Sequence, residues 1–131
     1  MKSRFSSTLA ASAIATGLAF ASLTTAAAKD GDIIKRGNCA GGVKTKLKAS
    51  PENGRIEVEY ELDNAAPNEA WRVIVKKNGR AILRATKRTN GVGDLKVRKV
   101  TSNGNGNERI EASAKRVSGG GVCKLSLVVP F

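Results

Sequence analysis

The chain predicts an all-β protein of two antiparallel sheets packed face to face, on three observations. The first is alternation: in RIEVEYELD, 55–63, Ile56, Val58, Tyr60 and Leu62 fall on one side and Glu57, Glu59, Glu61 and Asp63 on the other. That period of two belongs to a half-buried strand. The second is punctuation. Short alternating runs are separated by SPENG, NAAPNE, NG, TNGVG, SNGNGN and SGGG, all turn-forming strings. The third is that no window of eleven residues carries the 3.6-residue period of an amphipathic helix.

In chain order, Lys2 and Arg4 precede an alanine-rich apolar stretch reaching about Leu23, closed by Ala26-Ala27-Ala28. This is the order of a secretory signal peptide, 1–28, with cleavage expected after Ala28. Its apolar part is interrupted and short for a membrane span. The remaining 103 of the 131 residues make one domain. Such a length buries about 60–65% of its unfolded surface, a small core. Residues 29–42 read as an N-terminal leader carrying the first cysteine, and Asp30-Gly31-Asp32 in it supplies too few oxygens for calcium. Residues 43–131 hold seven expected strands: Val43–Ala49, 55–63, Ala70–Lys77, Arg80–Lys87, Asp94–Val100, Glu108–Arg116 and Val122–Val129. Cys39 and Cys123, an even count in an exported chain, are expected to form a disulfide. A loop of that length is worth about 4–5 kcal/mol in chain-entropy terms.

Seven short antiparallel strands point to an immunoglobulin-like or fibronectin type III-like sandwich, with a small closed β-barrel as the alternative. By analogy with that fold, the first, second and fifth strands form one sheet and the other four the second. The export signal, the Cys39 to Cys123 span, Trp71 in the third strand and the Asn78-Gly79 hairpin resemble small secreted bacterial immunoglobulin-like proteins. The resemblance covers the chain after residue 28 and implies this fold and an extracellular or envelope-associated address. Most such proteins have no assigned activity. The chain departs from secreted chromoprotein carriers of similar size in having one cysteine pair and a strongly basic balance.

Without Lys2 and Arg4, 21 of the 23 cationic side chains remain against 11 acids, a net charge of +10. In the first sheet, Lys44, Lys46 and Lys48 and the pair Lys96 and Arg98 flank the acids of 55–63, and cross-strand pairing accounts for them. In the second sheet, register decides which residues face out. A two-residue Asn78-Gly79 turn would set Val73 against Arg84. A three-residue Lys77–Gly79 loop sets Val75 against Ala81 and Val73 against Leu83, and is the expected register. The outward face then carries Arg72, Lys76, Arg84, Arg109, Lys115 and Lys124 with Glu111 as its acid, and Ile74 beside Ile82 as an apolar centre.

Enzymatic chemistry is not expected. The chain has no histidine. Glu57, Glu59 and Glu61 stand about 7 Å apart on an open sheet beside lysines, not in a cleft that raises one pKa. No cofactor or metal is expected. Of the aromatics after residue 28, only Tyr60, Trp71 and Phe131 exist, which leaves no stacking platform for single strands. No helix is available to read a major groove, so nucleic acid would bind only nonspecifically. The expectation is a monomeric secreted binding domain whose basic face meets anionic envelope polymers or a protein partner. The alternative is a secreted inhibitor or antagonist presenting a loop to an enzyme or receptor.

Overall fold

The computed structural model describes residues 31–131, and the signal peptide expected over 1–28 lies outside them. Among the described residues are eight strands: β1 (Ile33–Asn38), β2 (Lys44–Glu52), β3 (Arg55–Asp63), β4 (Ala70–Lys77), β5 (Arg80–Arg88), β6 (Leu95–Ser102), β7 (Glu108–Arg116) and β8 (Val122–Val129). They form two four-stranded antiparallel sheets, ordered β1-β2-β3-β6 and β5-β4-β7-β8. Each sheet keeps two open edges, so the alternative of a closed barrel does not hold. The sheets approach along both margins, β1 and β2 against β8 and β6 against β5.

The strand count corrects the expected seven. Residues 33–38, read as leader, pair along their whole length with β2, from Ile33 opposite Ala49 to Asn38 opposite Lys44. Their sequence, IIKRGN, does not alternate, and the strand is held by its backbone ladder. Gly37 serves the packing between sheets: a Cβ there would stand 3.0 Å from Leu125 Cδ2. Just beyond β1, Cys39 bonds to Cys123 of β8 across 84 residues, with the Cα atoms 5.4 Å apart, so the disulfide ties one sheet to the other.

The core follows the alternation. Leu47 and Ala49 of β2, Ile56, Val58, Tyr60 and Leu62 of β3, and Trp71, Val73 and Val75 of β4 are all buried. Tyr60 Oη donates to the Cys123 carbonyl at 3.1 Å, and burial pushes its phenol above 10.0. Trp71 lies under the Arg116 guanidinium, 4.7 Å from the ring centroid. Arg116 Nε is also held by Glu69 at 3.2 Å.

The β4–β5 hairpin departs from the expected register. Lys77 pairs with Arg80 and Lys76 with Ala81, which leaves a two-residue turn. Asn78 (φ 50°) and Gly79 (φ 84°) both take the left-handed region that such a turn demands. The ladder then shifts by one, and Val75 pairs with Leu83, Ile74 with Arg84 and Val73 with Ala85. Ile82 is the extra residue, a β-bulge. The bulge does what the longer loop was expected to do: it keeps arginine away from the valine face. It also turns Ile82 inward, where it packs with Leu83 against the core.

Candidate cationic face

The two outer surfaces carry charge differently. On β2-β3-β6, Lys46 binds Glu61 at 3.4 Å, Lys48 binds Glu59 at 3.4 Å, and Lys96 reaches Glu61 at 3.8 Å. Arg98 Nε donates to Glu57. The acids run down β3 and the bases flank them, as the sequence predicts, except that Lys44, opposite Asp63, makes no ion pair among the described residues. Glu57, Glu59 and Glu61 are each held in an ion pair.

The outer surface of β5-β4-β7-β8 has no such pairing. Arg72, Lys76, Arg84, Arg109, Lys115 and Lys124 are all exposed, and none of the six stands within ion-pair distance of an acid among the described residues. Glu111, the acid of this surface, is half-buried opposite Lys76. The ladders arrange these residues in rows across the sheet. One row reads Thr86, Arg72, Lys115, Val122, and the next Arg84, Ile74, Ser113, Lys124. Arg84, Arg72, Lys115 and Lys124 thus place one cation on each strand, in two adjacent rows. With strands about 4.8 Å apart, this belt is about 14 Å long. Arg72 and Lys115 stand directly opposite each other, a like-charge pair that costs stability.

All six cations assigned to this face from the sequence come together on it. The apolar centre does not. Ile82 belongs to the core margin, and Ile74 faces out without it, half-buried opposite Arg84. The correction follows from the bulge. Sequence reasoning also missed Val122, which is 55% exposed and stands in the row of Lys115. Its signal was an apolar residue directly after Gly119-Gly120-Gly121.

Two hollows flank Ile74. One, about 140 Å³, is lined by Ile74, Lys76, Glu111, Ser113, Val122 and Lys124. The other, about 290 Å³, lies between Ile74, Arg72, Arg84 and Thr86. A larger hollow of about 410 Å³ opens on β1 and β2, between Arg36, Lys44, Lys46 and Asp63. Its charges are mixed and Lys46 is already paired with Glu61, so its size does not outweigh the unpaired belt.

A second cluster braces the foot of the cationic face. Glu108 is buried, accepts the Gly104 N–H at 2.6 Å and the Asn78 side-chain amide at 3.0 Å, and pairs with Lys77 at 3.7 Å. The Gly104 amide holds its carboxyl below 4.5 against the opposing effect of burial, with Lys77 and Asn78 adding to the lowering. Asn78 Oδ1 accepts the Arg109 N–H at 2.8 Å. The hairpin turn is therefore fixed to the start of β7, the strand that carries Arg109.

The fold and surface define a two-sheet β-sandwich-like protein with a ladder of ion pairs on one face and, among the described residues, six cations without ion pairs on the other. The chain matches no family model, no curated protein and no solved structure.

Proposed function

We propose that this protein is a secreted, non-enzymatic binding domain that uses the β5-β4-β7-β8 face to hold a polyanionic partner. Within the fold, the division into β2-β3-β6 and β5-β4-β7-β8 supports an immunoglobulin-like or fibronectin type III-like sandwich with β1 added. The disulfide supports an oxidising, extracellular or envelope address. One observation carries the function: six exposed cations share one sheet surface without an ion pair among the described residues, while on the other sheet Lys46, Lys48, Lys96 and Arg98 are paired with the acids of β3. The opposed cations of the other sheet, Arg36 and Lys46, have Glu61 bound to Lys46, whereas Arg72 and Lys115 face each other with no acid in ion-pair range among the described residues.

The partner is an anionic envelope polymer or an acidic protein, and attraction is electrostatic. Binding to anionic envelope material therefore weakens steeply as salt is raised through the range where the screening length falls below about 10 Å. Arg72→Glu, Lys76→Glu and Arg84→Glu together abolish it without unfolding the domain, since all three side chains are exposed. Salt-independent binding, or full affinity in the triple variant, would remove this face from consideration.

A further inference from the structure

The hollow beside Ile74 narrows the partner, an argument that rests on the polyanion reading above. At about 140 Å³ it is close to a cavity that takes one benzene-sized group. It lies well below the several hundred Å³ of a small-molecule site. Ile74 and Val122 provide its apolar surface, and Lys76 and Lys124 stand at its rim. A uniform polyanion such as a polyphosphate has no apolar group to seat there. It would leave Ile74 and Val122 wet in the bound state. Sugar rings or bases would be expected to meet an aromatic platform, and the lining contains none. The rim also carries Glu111, which repels a carboxylate set directly above it. Acids are thereby directed away from that side, toward the Arg72 and Lys115 pair at the β7–β8 loop end.

We propose that the face receives an acidic protein segment, one aliphatic side chain seated between Ile74 and Val122 and flanking carboxylates on Arg72, Lys115 and Lys124. The cations supply encounter and orientation, and the hollow supplies selection among acidic partners. A buried aliphatic anchor ringed by polar contacts is the arrangement that concentrates binding energy in protein interfaces.

The test uses two synthetic peptides of glutamate and serine that differ only at the centre, leucine in one and serine in the other. Polyglutamate and an inorganic polyphosphate serve as polymers without an anchor, and titration calorimetry is run at low and raised salt. The leucine peptide is expected to bind about tenfold or more tightly than its serine twin. That ratio should persist at raised salt while both affinities fall. Ile74→Ser, with Val122→Ser as a second variant, should bring the ratio close to one while leaving polyglutamate binding unchanged. Equal affinity of the two peptides, or a leucine advantage that survives both variants, overturns the acidic-segment proposal and leaves the polyanion reading standing. Polyphosphate binding more tightly than the leucine peptide overturns it in favour of a polymer. Failure of every anion to bind at low salt overturns both.

Discussion

At Gly93 the backbone runs at φ +85°, and a Cβ would stand 1.9 Å from the Ala65 carbonyl oxygen. The close approach exists because Ala65 N–H donates to the Gly93 carbonyl at 3.0 Å, joining the β3–β4 and β5–β6 loops. Gly93→Ala should cost about 2–4 kcal/mol through strain and overlap together, read as a fall in the midpoint of urea unfolding. Two carboxylates respond to pH in opposite directions. Glu108 is held below its usual 4.5 by the Gly104 amide, so its stabilisation is complete above that value and is lost as the pH falls below it. Glu108→Gln should lower stability at pH 7 by about 1–3 kcal/mol and flatten the acid limb of the stability curve. Asp63 is raised above 3.8, first by desolvation and then by the charges of Asp94 and Glu61. Its ionised form therefore weakens the fold, and Asp63→Asn should raise the melting temperature at pH 7, with the gain fading in acid. A melting temperature lower at pH 7 in this variant would mean that Asp63 makes a contact worth more than the repulsion.

At the scale of elements, the β4–β5 hairpin separates what patterning specifies from what it does not. Alternation placed β3 and β7 at their observed bounds because apolar and polar residues alternate along most of each strand. In β5 the adjacent Ile82 and Leu83 break the alternation, and the choice between a longer loop and a bulge depends on contacts with the opposite sheet. Both solutions keep Arg84 outward, so the outward cations were legible while the pairing and the fate of Ile82 were not. β1 was illegible for another reason: with Ile33 and Ile34 adjacent and Gly37 within it, only the exposed edge of β2 makes it a strand. Deleting Ile82 should remove the bulge yet leave Val75 opposite Leu83 and Ile74 opposite Arg84. The variant is expected to fold, to lose about 1–2 kcal/mol with the half-buried side chain, and to keep its affinity for anions. Loss of anion binding in a folded deletion variant would show that the bulge itself shapes the face.

For the whole molecule, the disulfide and the charge division matter most. Cys39 and Cys123 join the two sheets, so Cys39→Ser with Cys123→Ser should cost about 4–5 kcal/mol without altering the surface that carries the cations. The central claim is that position on one face, not net charge, governs binding. The direct measurement compares two triple variants of identical charge change, with affinity for polyglutamate taken at low salt. Arg72→Glu, Lys76→Glu and Arg84→Glu remove unpaired cations from β4 and β5, whereas Lys46→Glu, Lys48→Glu and Lys96→Glu reverse bases already paired with Glu59 and Glu61. With both variants confirmed folded by circular dichroism, the first should lose binding and the second should retain most of it. Equal losses in the two would contradict the account, because only the total charge of the molecule would then be felt.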